Sequence, residues 1–288
     1  MTGLAGAKGG DRWLADLPAT IAALERRWGI TVGEQLTGGT ASYVAAAVTA
    51  TGEPAVVKIS VPVVAFDREV RTLRVAAGRG YVRLLAADLD RNAALLEPLG
   101  GSLARSGLPP EGQLAVIADL LPLAWAVPRD ALVPTDKAAD LVEFVGTLGS
   151  SAVGSSAVGS SAVVDEALRC AERRSAAYDP DRCVVVHGDA AAANVLQRPG
   201  DGWVFVDPDG FVGDPAYDRG VAVRDWCAEL LAAADPRALL RSYCVLLGGD
   251  PDATWDWGFL ERVSTGLYLA SLGGDGGPHL DSAARLLA

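Results

Sequence analysis

The chain has 288 residues, half of them hydrophobic and only 6% aromatic, and a formal net charge of −11. That length suits one large domain or two lobes with a core of Ala, Val and Leu. The acidity argues against nucleic acid as a partner, which needs Lys and Arg stripes to meet phosphates, and agrees with a polycationic small ligand.

Residues 1 to 10 are small and Gly-rich, without a periodic pattern. Leu17, Ile21, Leu24 and Trp28 recur at three- and four-residue steps and predict a helix that starts at Leu14 or at Pro18 and ends at Gly29. Ile30 to Ser60 reads as three strands with two connections, the first of which, Thr37 to Ser42, contains Gly39 and Thr40. The third strand, Ala55-Val56-Val57-Lys58-Ile59, carries a lysine that needs a partner if it is buried. Glu69 is the candidate, on a helix over 66–78 whose apolar face is Phe66, Val70 and Leu73. Tyr81 to Ala86 and Ala93 to Glu97 predict two more strands, and Leu96-Glu97-Pro98-Leu99-Gly100-Gly101 breaks the composition as a hinge would.

Beyond it, helices are expected over 112–125, with Pro122 as a kink, and over 135–148, with Thr135 as its cap. Gly-Ser-Ser-Ala-Val then occurs three times between Gly149 and Val163. A period of five fits neither helix nor strand, so this segment reads as a flexible linker. Further helices are expected over 165–178, 221–233, 236–247 and 259–272. Four scattered cysteines, Cys170, Cys183, Cys227 and Cys244, suggest neither a zinc site nor a disulfide framework. The N-terminus lacks the apolar region of a signal peptide, and the most apolar run, Leu114 to Pro128, is too short to span a bilayer. A reduced, cytoplasmic protein without membrane contact is expected.

The chemistry concentrates between Val184 and Asp218. Three valines run into His187-Gly188-Asp189, four alanines follow, Asn194 heads a short apolar run, and a Pro-Gly-Asp-Gly turn leads to a strand ending at Asp207. An acid, an amide five positions on and a second acid after the next strand match the layout of phosphoryl transfer. Singly, each residue would be read as a helix cap or a turn residue. Their spacing with two intervening strands favours the kinase reading. No Walker A motif is present, which disfavours a P-loop NTPase.

His-Gly-Asp-x-x-x-x-Asn followed by Val-Asp-Pro resembles the aminoglycoside phosphotransferases, and the wording from Val206 to Asp218 is closest to the streptomycin 6-kinase and hydroxyurea kinase branch. The resemblance implies an α+β, protein-kinase-like two-lobe fold, with a small N-terminal antiparallel sheet and one main helix in residues 1–97, a hinge at 98–101, and a larger, mostly helical lobe in 102–288. It implies ATP as phosphoryl donor, Mg²⁺ and a cationic aminoglycoside acceptor. Asp189 would be the catalytic base, and Asn194 and Asp207 the metal ligands. Lys58 and Glu69 would grip the α- and β-phosphates, with Gly39, Thr40 and Ser42 covering them. The Glu97 carbonyl and Leu99 amide would read adenine, backed by Leu96.

His187, Asp214 and Asp218 would support the loop, with simple helix capping as the alternative for the two acids. Asp225 and Glu229, one turn apart on a helix, and Glu261 on a later one are candidates for binding substrate ammonium or guanidinium groups; the preferred reading of them is as solvent-facing charges on amphipathic helices. The family usually has a bulky residue among the four positions after His-Gly-Asp, where this chain has Ala190 to Ala193. Alternatives are a kinase of hydroxyurea, an amino sugar or another small molecule, and a nucleotide-binding pseudokinase.

Overall fold

The computed structural model describes residues 10–36, 41–62, 65–152, 161–200 and 202–288. Five strands, β1 (Ile30–Gln35), β2 (Ser42–Thr49), β3 (Pro54–Ser60), β4 (Leu84–Asp88) and β5 (Ala93–Leu96), form an antiparallel sheet in the order β1-β2-β3-β5-β4. Helix α1 (Gly10–Trp28) covers one face, where Leu17 and Leu24 pack with Ala45, Ala55, Val57 and Ile59. Successive strand residues point to opposite faces. Lys58, between Val57 and Ile59, therefore projects to the other side, the side of α2 (Phe66–Ala76). The buried residues of α2 are Phe66, Glu69, Val70, Thr72, Leu73 and Ala76, so Glu69 is the one charged group on a mostly apolar helix face.

The second part is mostly helical. It comprises α3 (Pro110–Ala124), α4 (Lys137–Ala152), α5 (Ser161–Ala176), α6 (Pro215–Arg224), α7 (Cys227–Ala232), α8 (Pro236–Leu246), α9 (Pro251–Ser271) and α10 (Gly277–Leu287). Two antiparallel pairs are set into it: β6 (Val184–Val186) with β9 (Phe211–Gly213), and β7 (Val195–Arg198) with β8 (Gly202–Phe205). Helix α9 is buried almost throughout. It packs against α6 where Gly220 leaves no room for a side chain, since a Cβ there would lie 2.3 Å from that of Trp257.

The β7–β8 hairpin ties the two parts together. Val82 N donates to the Phe205 carbonyl at 2.8 Å, and Phe205 N to that of Gly80 at 2.9 Å. Gly100 N and Gln197 N bond to the carbonyls of Gln197 and Gly101. Arg198 adds a side-chain clamp on the Gly78 and Tyr81 carbonyls and the Glu97 carboxylate.

Several elements differ from the sequence reading. The first helix begins at Gly10, and Pro18 sits inside it; the hydroxyl of Thr20 bonds the Asp16 carbonyl nearby. Strand β4 starts at Leu84 because the residues before it are drawn to Phe205, with Tyr81 in a bridge to that residue. The cap before α4 is Asp136, whose Oδ1 accepts from Ala139 N at 3.1 Å, so Thr135 lies one residue too early. The pentapeptide segment is not wholly a linker: α4 runs through Ala152 and α5 starts at Ser161, and only 153–160 lie outside the described residues. The helix expected over 221–233 is two, broken at Asp225-Trp226. Helix α9 starts at Pro251 rather than Phe259, and α10 was not anticipated.

Candidate active site

Lys58 donates to both carboxylate oxygens of Glu69, each at 2.8 Å, and to Oδ1 of Asp207 at 3.0 Å. Lysine and glutamate side chains are 7% and 5% exposed, whereas that of Asp207 is 43% exposed. Burial disfavours the charged lysine, but Asp207 and Glu69 outweigh it and its pKa is raised. Burial pushes Glu69 up to about 6, against the pull of Lys58. Asp207 adopts φ +58°, a left-handed conformation that is strained for a residue with a side chain. The turn aims its carboxylate back at the sheet, where the lysine holds it.

The loop after β6 is held from behind. Asp218, on α6 and fully buried, accepts from His187 N at 2.8 Å, Gly188 N at 2.9 Å and the Trp125 indole at 2.8 Å. Burial pushes its carboxyl above the ordinary range, while these donors favour its ionised form. His187 is buried too. Its Nδ1 accepts from Asp189 N at 3.0 Å, so Nε2 carries the hydrogen and donates to the Val206 carbonyl at 2.8 Å. The ring lies stacked on Tyr81 and tilted to Phe205. Gly188 has φ +90°, and a Cβ there would meet that of Asp209 at 2.6 Å.

The loop thus presents Asp189 and Asn194 on its outer side. The Asn194 amide donates to Asp189 Oδ2 at 2.7 Å and to the Asp189 carbonyl at 2.9 Å. That turns the Asn194 side-chain oxygen away from Asp189. Val206 N bonds to the Asn194 carbonyl, which sets the residue before Asp207 beside Asn194. Asp189, Asn194 and Asp207 therefore belong to one bonded loop system, of which Asp207 reaches Lys58. Among the described residues no three of His, Cys, Asp and Glu are grouped to hold a metal by themselves. One carboxylate and one amide oxygen suit a hard cation that keeps waters and phosphate oxygens in its shell.

Arg224, at the end of α6, was not singled out from the sequence. Its NH2 donates to Asp189 Oδ1 at 2.9 Å, and its Nε to Asp225 Oδ1 at 2.8 Å. Both Asp189 oxygens are therefore engaged. A cation ending the buried run Val221-Ala222-Val223 was the signal that could have found it.

The remaining candidates fall in different surroundings. Ser42 is buried on β2 opposite Ser60, and Gly39 and Thr40 lie outside the described residues. Leu96 is buried on β5 and Leu99 is half-buried. The Glu97 side chain is taken by Arg83 N and Arg198. Asp214 caps α6 through Ala216 N and accepts from the Trp257 indole; its bonds do not reach the loop at 187–189, so capping describes it better than bracing. Asp225 stands at the break between α6 and α7, not one turn from Glu229 on a single helix. Its half-exposed carboxylate meets Arg224 and, at 3.5 Å, His279. Glu261 is buried and bonded by the Tyr217 hydroxyl and by Ser264.

The comparisons with known proteins agree with this geometry. The family model described as aminoglycoside/hydroxyurea antibiotic resistance kinase matches residues 27–248. The streptomycin 6-kinase of Streptomyces griseus is 29% identical over 244 residues, covering 82% of this chain and 76% of that one. The streptomycin 6-kinase of Streptomyces glaucescens is 28% identical over 286 residues, covering 97% and 90%. A choline kinase from Streptococcus pneumoniae shares the fold with a TM-score of 0.63 at 13% identity, over 94% of this chain and 98% of that one. The match spans the lysine strand, the bonded loop and both acids, and the chain belongs to the aminoglycoside/hydroxyurea antibiotic resistance kinase family.

Proposed function

We propose that this kinase transfers the γ-phosphoryl group of ATP to a hydroxyl of a streptomycin-like aminoglycoside and thereby inactivates the antibiotic. The observation that supports the reading is the bonding of Lys58 to Glu69 and Asp207, with the Asp189-Asn194 loop tied beside Asp207 through Val206 N. Lys58, fixed by Glu69, grips the α- and β-phosphates. Asp189 would accept the proton of the acceptor hydroxyl, and Arg224 and Asn194 hold its carboxylate in one orientation. Asn194 and Asp207 would hold Mg²⁺, which supplies charge neutralisation at the β- and γ-phosphates. The likeness to two streptomycin 6-kinases and the net charge of −11 favour a polycationic acceptor. An ATP-dependent enzyme of this kind works in the cytoplasm.

The test is ADP release with ATP, Mg²⁺ and a panel of streptomycin, other aminoglycosides, choline and hydroxyurea. Turnover is expected with streptomycin, giving a product heavier by one phosphoryl group. Release with hydroxyurea alone would move the assignment to the other branch of the family, and release with none of them would overturn the proposal.

A further inference from the structure

A cavity of about 690 Å³ opens between α5, α8 and α9, lined by residues that the phosphoryl-transfer site does not use. Arg173 and Arg174 enter it from α5, Arg237 and Arg241 from α8, and Trp255 from α9. In a chain of net charge −11, four guanidinium groups face one concavity.

The carboxylates present do not match them all. Asp256 is shared: Arg173, which also pairs with Glu166 at 3.0 Å, reaches its Oδ1 at 2.7 Å, and Arg174 Nε lies 3.1 Å from its Oδ2. Arg174 is 12% exposed, and its Nε has no acceptor with hydrogen-bond geometry. Arg241 has Asp252. Arg237 has no carboxylate among the described residues; it donates to the Leu286 carbonyl at 2.8 Å and lies 6.0 Å from the centre of the Trp255 ring. Arg237, exposed beside the half-buried indole of Trp255, thus has no anion among the described residues, and Arg174, nearly buried, has only a carboxylate that it shares with Arg173.

We infer that this cavity is a second binding site, for a small organic phosphate with a ring. The planar forks of Arg174 and Arg237 suit bidentate contact with phosphate oxygens. Trp255 gives a flat apolar wall. The volume fits a molecule of sugar-phosphate or nucleotide size, well beyond a lone phosphate.

The test uses the full chain with glucose 6-phosphate, glucose and inorganic phosphate as separate probes, followed by titration calorimetry and by the indole N–H resonance of Trp255. Glucose 6-phosphate is expected to bind and to shift that resonance, glucose is expected not to bind, and inorganic phosphate is expected to bind at least tenfold more weakly. Arg237→Gln should weaken glucose 6-phosphate at least tenfold, with Arg237→Lys intermediate. Both substitutions lie outside the phosphoryl-transfer site and should leave kinase turnover unchanged. Arg174→Gln should weaken it further if that variant folds. No binding by the wild type, equal affinity in Arg237→Gln, or phosphate binding as tightly as the sugar ester would each overturn the inference.

Discussion

Lys58→Met tests whether the buried lysine is held for its charge. Methionine nearly conserves the volume, so packing changes little, but Glu69, 5% exposed, keeps a carboxyl with no cation. Breaking a buried pair from one side costs about 3–5 kcal/mol. The loss should depend on pH in a calculable way. With lysine present, burial already lifts Glu69 to about 6; without it the folded-state pKa rises further. A carboxyl raised in the folded state is a liability above the unfolded pKa, since the unfolded chain releases the proton and the folded chain cannot. Below pH 6 Glu69 is protonated in both proteins, so their difference opens above pH 6. It grows by up to about 1.36 kcal/mol per pH unit, roughly 2–3 kcal/mol by pH 8. Urea denaturation at pH 5.5 and pH 8 measures it, and Lys58→Met with Glu69→Leu should recover most of the loss. Equal destabilisation at both pH values, or a double variant less stable than the single one, would refute the reasoning.

Asp189→Asn should fold normally and lose nearly all turnover while binding ATP as before, measured by ADP release and nucleotide titration; wild-type turnover would remove the residue from the chemistry. Arg224→Gln frees one oxygen of Asp189, and the loss of a charged hydrogen bond of about 1.5–3 kcal/mol should lower kcat by roughly 10–100-fold with little change in KM for ATP. Asp218→Ala orphans three buried donors, so denaturant midpoints should report a loss of roughly 3–6 kcal/mol, with Asp218→Asn about half of that. His279 is raised to about 9, chiefly by Asp225, so its contribution is complete below about pH 6.5 and is lost as pH rises through about 9. Asp225 is half-exposed, and screening holds that contribution to on the order of 1 kcal/mol; the gap between wild type and His279→Gln should close from pH 6.5 to pH 10.

What could be read in the sequence is what repeats locally or is spaced rigidly. Lys58 stood out because an alternating Val-rich strand gives it no neighbour of its own, and its partner appeared on the next amphipathic helix. Asp189, Asn194 and Asp207 were legible because two short strands and a turn fix their separations. Illegible residues get their roles from contacts distant in the chain. Arg198 meets Glu97 across 101 positions, and that bond turns a proposed hinge acid into a clamp between the lobes. Arg224 meets Asp189 across 35. The break between α6 and α7 was hidden because both halves are apolar at helical spacing, and no Gly or Pro marks Asp225 as the end of one helix.

The four alanines after Asp189 take on a different meaning once the loop is seen from behind. A bulky side chain at those positions could steady the loop from within. Ala190 and Ala191 are instead buried, and Ala191 N and Asn194 N close tight backbone turns onto the Asp189 and Ala191 carbonyls. Rigidity comes from beneath, where the Asp218 carboxylate gathers two successive backbone N–H groups and an indole while His187 spans from Asp189 N to the Val206 carbonyl. Small residues above such a brace let the backbone run close to its support. Precision in Asp189 then depends on Asp218, His187 and Arg224.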